Sequence, residues 1–345
     1  MLRRILWASL ALAPATIALD LIAHPGKVTL FVLSALSLVP LAWLIGAATE
    51  QAAEHTGPGI GGFLNASFGN APELIIALFA IGEGLPNVVR GSIAGSIVSN
   101  LLLVLGMTQL IGPEQPIDRR SLLTQLLLIA TGVVLFVPVA VLGYTGAPGR
   151  HSAVLASIPV AVVLFAVYLV VTRANLRRHH LAERDAAEEG SWTLPVALGS
   201  LAVATVATAV VSELLVRSLG AFARAVGASD FFIAIVIVAI VGNAAEHGGS
   251  IMIARAGKMK LASEIAISSG AQVTLLVAPV VMMLSLLFAH PLAFTFRWEE
   301  LVAMGGATAL VAATVWNGRS NRWEGAFLLL AYAGAVVGFL TVGNR

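Results

Sequence analysis

The chain has 345 residues, of which 58% are hydrophobic and only 11% charged, with a mean hydropathy of +0.93. A soluble domain carries about 25% charged residues, so this is the composition of a polytopic, all-α membrane protein. A net charge of +2 offers no basic surface for nucleic acid, and the absence of cysteine excludes disulfides, thiolate metal sites and cysteine nucleophiles.

A spanning helix needs about 20 mostly apolar residues. Eleven segments meet that description: 5–22, 28–53, 61–82, 91–112, 121–142, 153–172, 193–216, 230–254, 261–288, 299–317 and 323–342. The first follows Arg3 and Arg4 as a signal peptide would. Ala23-His24-Pro25 is a poor cleavage site, so the sequence predicts a retained leading helix. Short connections carry turn formers at His24-Pro-Gly, Gly57-Pro-Gly, Gly84-Leu-Pro-Asn, Gly112-Pro-Glu and Gly146-Ala-Pro-Gly. The longest polar stretch, Arg173 to Ser191, is too charged for lipid and reads as a solvated linker helix near the middle of the chain. The organisation is then a leading helix (1–27), a first five-helix unit (28–172), a charged cytoplasmic linker (173–192) and a second five-helix unit (193–345).

Lysine and arginine set the orientation, because loops rich in them stay in the cytoplasm. The amino-terminal side holds thirteen and the opposite side seven. The amino terminus is therefore expected in the cytoplasm and Arg345 on the far side, in what reads as a prokaryotic inner membrane.

Two stretches stand out from the apolar background: Phe68-Gly-Asn-Ala-Pro-Glu73 and Val241-Gly-Asn-Ala-Ala-Glu246. Glu73 is the only charge in 61–82, and Glu246, beside His247, the only carboxylate in 231–254. An ionisable group at membrane depth costs several kcal/mol, about 2.5–3.5 on insertion scales, and marks function by default. The two stretches are offset by 173 residues, which also maps Ser96 onto Ser269, Leu102 onto Leu275, Leu103 onto Leu276 and Val104 onto Val277. Two consecutive helices thus keep register without a gap. Five predicted helices separate the copies, an odd number, so the copies cross in opposite directions. That is the inverted repeat in which transporters place a site near the midplane.

Residues three or four apart share a helix face. Asn70 points with Glu73, and Asn243 with Glu246. In the following helices Ser96, Ser99 and Asn100 share a face, as do Ser268, Ser269 and Gln272. Packed together, these helices collect two carboxylates, amides and hydroxyls, a hard all-oxygen set suited to Ca²⁺. Two carboxylates neutralise one divalent cation. Without it they repel in low dielectric, which favours proton uptake. Pro72 and Gly69 are expected to break the first copy and free carbonyls as ligands, with Gly242, Gly248 and Gly249 serving the second. Gly91, Ser92, Gly95 and Ser96 form a small-residue face for close helix approach. His247, turned about 100° from Glu246, is a candidate for proton coupling. Glu50, Glu54 and Glu213 lie near predicted helix ends and read either as solvated ends or as groups drawing the cation in.

The Gly69-to-Leu78 stretch with Gly91-Ser-Ile-Ala-Gly-Ser-Ile-Val-Ser-Asn-Leu-Leu-Leu-Val-Leu-Gly106 resembles the first α-repeat of the calcium/proton exchangers, in the calcium/cation antiporter superfamily. Val241-Gly-Asn-Ala-Ala-Glu-His with Ser268-Ser-Gly-Ala-Gln-Val-Thr-Leu-Leu-Val-Ala-Pro279 resembles the second. Ala48-Thr-Glu50 and Ser212-Glu213 fit as well. The resemblance implies eleven helices and a central site at which Ca²⁺ exchanges for H⁺ by alternating access. Glu73 and Glu246 would take the cation and the protons. Asn70, Ser99, Asn100, Asn243 and Gln272 would line the site, and Glu50 and Glu213 would lie on the cation path. No cofactor is expected beyond the transported Ca²⁺ and H⁺. The lipid bilayer is the expected partner, and homo-oligomerisation stays open. The linker is more mixed in sign than the family's acidic one, which counts against calcium sensing, and Gly248-Gly249-Ser250 departs from an alanine-rich pattern. The alternatives are Na⁺ or K⁺ coupling on the same fold, a cation/H⁺ antiporter of broader specificity, a passive cation channel and an intramembrane hydrolase. The last lacks a His-Glu-x-x-His motif.

Overall fold

The structure is a computed structural model, and it describes residues 2–144, 150–179 and 192–343. Among them the regular structure is helical, and the one β-type pairing is an isolated bridge between Pro116 and Arg319. An apolar chain that cannot give its backbone groups to water must satisfy them within helices. Among the described residues eight helices are long and apolar enough to cross a membrane, and a ninth span is bent by 58° in its middle. This is an integral membrane protein.

The leading segment is two pieces, α1 (Leu2–Ser9) and α2 (Leu12–Ala23), ended by His24 in the left-handed conformation, φ 45°. Helix α3 (Lys27–Gly69) runs through Gly57-Pro-Gly, where the sequence predicts a turn between two spans. A straight helix would hold Ala48 and Ala71 about 35 Å apart. Instead Leu44, Ile45, Ala48, Phe68 and Ala71 share one apolar cluster with Leu201 and Ala204. The chain therefore changes direction between Ala48 and Phe68, within residues whose backbone is helical.

Next come α4 (Ala71–Gly82), α5 (Pro86–Val98), a π-helical segment (Ser99–Val104) and α6 (Leu105–Ile111). Helices α7 (Arg119–Tyr144) and α8 (Arg150–His179) complete the first half. The turn expected at Gly146-Ala-Pro-Gly lies outside the described residues. Of the linker, the part through His179 continues α8, and 180–191 lie outside the described residues. Helix α9 (Leu194–Val226) continues about ten residues beyond its predicted end, through Gly220, and stops at Gly227, whose φ of 71° is left-handed. Then follow α10 (Asp230–Phe232), a π-helical segment (Ile233–Val238), α11 (Ala239–Gly242), α12 (Ala244–Arg255), α13 (Met259–Gln272), a third π-helical segment (Val273–Val277) and α14 (Ala278–Ser285). Helices α15 (Trp298–Thr314) and α16 (Arg322–Gly343) end the chain.

The 173-residue offset holds in the backbone. Helices α4 and α12 are 12 residues each, and both end in a left-handed glycine turn, at Gly84 (φ 72°) and Gly257 (φ 81°). Leu85 N–H donates to the Ala80 carbonyl at 2.8 Å, and Lys258 N–H to that of Ile253 at 3.1 Å. Only a residue without Cβ adopts that φ without strain.

The connections gather at two ends. At one, Asp118 pairs with Lys260 at 3.3 Å, Gln115 N–H donates to Ser320, and Trp192 contacts Gln51 and His55. At the other, Arg90 donates to Thr295 at 3.0 Å and Tyr144 stacks on Trp298. There the non-helical Leu292, Phe294 and Phe296 are fully buried. Ser285 and Ser157 hydroxyls accept from the N–H groups of Leu292 and Phe294, at 2.8 and 2.9 Å, as buried backbone outside a helix requires.

Candidate functional site

The site forms where the two copies of the motif interrupt their helices. Asn70 (φ −100°, ψ 14°) and Asn243 (φ −93°, ψ 10°) leave the helical conformation at the same place, and a new helix starts one residue later. The break therefore precedes Pro72 and occurs equally in the copy without a proline. Proline was expected to cause it. Pro72 instead occupies the second position of α4, where its missing N–H costs no helical bond.

Starting a helix at Ala71 and Ala244 puts Glu73 and Glu246 in a first turn. There unpaired N–H groups and the positive end of the helix dipole favour negative charge. Both glutamates lie inside the helix packing, within electrostatic reach of one another.

Hydrogen bonds then tie each break to the other half. Asn70 Nδ2 donates to Gln272 Oε1 at 2.8 Å. Asn243 Nδ2 donates to Ser96 Oγ at 2.8 Å and to the Ala239 carbonyl at 2.9 Å, while Asn100 Nδ2 donates to Asn243 Oδ1 at 3.2 Å. Ser269 Oγ donates to the Glu246 carboxylate. Both Glu73 carboxylate oxygens are buried without a hydrogen-bond partner. They open into a small cavity lined by Ile76, Ala77, Ser92, Ser96 and Gly242. A Cβ on Gly242 would come within 3.3 Å of the Glu73 Cγ, so the glycine lets this carboxylate lie against the opposite break.

Among the sequence-predicted residues, Glu73, Glu246, Asn70, Asn100, Asn243 and Gln272 come together. Ser99 is buried nearby, its hydroxyl donating to the Ser96 carbonyl at 3.2 Å. His247 is 7% exposed, its Nε2 has no hydrogen-bond partner, and it shares the buried face of α12 with Ser250. Glu50 and Glu54 are exposed, with Gln51 donating to Glu54 at 3.3 Å. Glu213 pairs with Arg217 at 3.1 Å on the protein surface. The structure thus leaves these three acids outside the central cluster. Gly248 and Gly249 meet nothing within 4 Å of a Cβ position.

Among the described residues no three acidic, histidine or cysteine side chains cluster as a metal centre. The central donor set is two carboxylates with neutral oxygens. The roles of Ser92 as cavity lining and of Gly242 as the seat of Glu73 escape a one-helix reading, since both depend on a partner from the other half. The bond from Ser269 to Glu246 was within reach, because i and i+23 fall on adjacent antiparallel helices once the Gly257 turn is placed.

The family profile described as "Sodium/calcium exchanger protein" matches residues 27–176 and 196–341. The Ca(2+)/H(+) antiporter ChaA of Bacillus subtilis is 38% identical over 329 residues, which cover 92% of this chain and 93% of that protein. The Ca(2+)/H(+) antiporter of Aphanothece halophytica is 34% identical over 332 residues, covering 90% and 89%. The solved structure of native YfkE matches with a TM-score of 0.84 at 34% identity, over 98% of this chain and 99% of that one. The crystal structure of the H+/Ca2+ exchanger CAX shares the fold, with a TM-score of 0.77 at 16% identity over 99% and 92%. With both halves matched by one profile and relatives aligned nearly end to end, this chain belongs to the sodium/calcium exchanger protein family.

Proposed function

We propose that the protein is a secondary-active antiporter that expels cytoplasmic Ca²⁺ in exchange for H⁺ by alternating access. One observation carries this reading. Two glutamates, each in the first turn of a helix that restarts after a broken asparagine, face one another's halves in the buried centre. Relatives named Ca(2+)/H(+) antiporters, similar over about nine-tenths of this chain, support the same cargo.

Ca²⁺ is the substrate here, not a resident cofactor. Glu73 and Glu246 neutralise it, with Asn70, Ser99, Asn100, Asn243 and Gln272 supplying neutral oxygens. When the ion departs, two close carboxylates in a medium of low dielectric cannot both stay charged cheaply, and protons replace the cation. His247, one residue on and facing elsewhere, serves proton movement in this scheme. Glu50 and Glu213 raise the local cation concentration at the entrances.

The finer architecture we propose is eleven crossings: the nine long spans, α4 with the helical stretch before it, and α15. They are arranged as one leading helix (1–27) and two inverted five-helix repeats (28–172 and 193–345), joined by a cytoplasmic linker (173–192). The meeting of alternate connections at opposite ends of the molecule supports it. The amino terminus then lies in the cytoplasm and Arg345 beyond the cell's inner membrane.

Inside-out vesicles with an acidic lumen should accumulate Ca²⁺, and Glu73→Gln or Glu246→Gln should abolish the uptake. Uptake that survives both substitutions would defeat the proposal. Uptake driven by an imposed Na⁺ or K⁺ gradient, and not by protons, would keep the fold and replace the coupling ion.

A further inference from the structure

The two halves match in backbone but not in hydrogen bonding, and the mismatch follows a rule. At the 173-residue offset, Ser96 corresponds to Ser269, Ser99 to Gln272, Asn70 to Asn243 and Glu73 to Glu246. Ser269 donates to its own half's glutamate, Glu246. Ser96 is engaged by the other half's asparagine, Asn243, at 2.8 Å, and Glu73 has no partner. Asn70 reaches past the position of Ser269 to Gln272 at 2.8 Å. One serine serves an acid and its counterpart serves an asparagine.

We propose that Ser96 and Ser269 are a matched pair of positioning residues that exchange these partners between the two access states. In the exchanged state Ser96 donates to Glu73, Asn70 donates to Ser269, and Asn243 turns to Ser99. Each access state thereby holds one glutamate fixed by a hydroxyl and leaves the other free in a cavity to receive or release its cargo. In the state seen here the free acid is Glu73, which lies in a small cavity lined by Ala77, Ser92 and Val277. The exchange is incomplete at one place. Asn100, which donates to Asn243, corresponds to Val273, which cannot donate to Asn70.

Removing either hydroxyl has an asymmetric cost. Asn243 keeps the Ala239 carbonyl if Ser96 is lost, whereas a buried carboxyl stripped of its serine is stranded. Ser269→Ala therefore disfavours the state seen here, and Ser96→Ala disfavours the exchanged one.

The proposal rests on the alternating-access antiport reading and is tested apart from it. The chain has no cysteine, so a single reporter can be introduced as Ala77→Cys, beside Glu73, or at its counterpart as Ser250→Cys, beyond Glu246. Labelling by a membrane-impermeant maleimide is timed in sealed vesicles of each orientation. Ser269→Ala should slow labelling at Ala77→Cys and speed it at Ser250→Cys, by about three- to tenfold, and Ser96→Ala should do the reverse. Ser269→Thr keeps the hydroxyl and should label like the parent. Shifts in the same direction for both serine variants, no shift in either, or Ser269→Thr behaving as alanine would overturn the exchange. Proton-driven Ca²⁺ uptake is followed in parallel. A parent chain that shows none overturns the antiport reading, whereas intact uptake without opposed labelling shifts overturns only the partner exchange.

Discussion

The spans at the centre and the spans at the rim are built on opposite rules. In Pro86–Ile111 and Met259–Ser285, 83% and 78% of the apolar window is buried within the protein, against 11% in Ile5–Ala23 and 17% in Arg322–Thr341. The buried pair carries Ser96, Ser99, Asn100, Ser269 and Gln272, while the rim presents Leu21, Ile22 and Leu330 outward. In water the apolar side would face in. Here lipid solvates the apolar surface, so the interior is free to hold polar groups, and close contact between small residues holds the helices together. Sequence polarity therefore marks depth in the bundle, and its extreme, a lone carboxylate, marks the centre.

The contrast is broken most severely by removing a central charge. Glu73→Gln and Glu246→Gln should each lower proton-driven Ca²⁺ uptake by at least about 100-fold while the protein still elutes as a folded species, because a neutral amide keeps the volume and loses the charge that offsets the cation. A variant retaining a tenth of the parent's rate would place that glutamate outside the transport step.

Next in size is the central packing. A Cβ added to Gly95 would overlap the Ile235 carbonyl, a backbone atom that cannot turn aside. Gly95→Ala should destabilise the protein by about 1–3 kcal/mol, read as a lowered midpoint of thermal unfolding in detergent. An unchanged midpoint would mean that α5 and the segment Ile233–Val238 are not in such close contact.

At the rim the effects shrink. The Asp118 carboxyl is held below the usual carboxylate range by the Ser121 N–H, then by Lys260. A lowered folded-state value adds stability above the unfolded value, about 3.9, and loses it as pH falls through the folded one. Asp118→Asn should thus be slightly less stable than the parent at pH 7 and indistinguishable from it in strong acid. The pair is exposed, so the difference is small. A difference that grows toward acid pH would reverse the sign of the argument. Smallest of all, Leu330→Ala, at a position 72% exposed toward the lipid side, should change stability by less than about 0.5 kcal/mol. A larger loss would reveal a packing partner at that face.

Most of the centre was legible in the residues. The repeated Gly-Asn-Ala-x-Glu located both helix breaks, and three- and four-residue spacing grouped the amides and hydroxyls with the glutamates. The 173-residue register extended to the left-handed turns at Gly84 and Gly257. What escaped depends on contacts between distant segments. Three π-helical stretches, Ser99–Val104, Ile233–Val238 and Val273–Val277, have no residue signature, since an extra residue in a turn is set by what packs against it. Gly57-Pro-Gly suggested an open turn because those residues end helices in water. The backbone there is helical, inside α3. Glu213, which the resemblance puts on the cation path, pairs on the surface with Arg217, a partner that the four-residue spacing offers.

The proposed exchange requires one competition, that between Ca²⁺ and protons for the carboxylates of Glu73 and Glu246. Calorimetric titration of the purified protein with Ca²⁺ near neutral pH, repeated in buffers of different ionisation enthalpy, counts the protons released per ion bound. Release from the parent, reduced together with affinity in Glu73→Gln and in Glu246→Gln, is the predicted result. Ca²⁺ binding that releases no protons, or releases them undiminished in both variants, would contradict it.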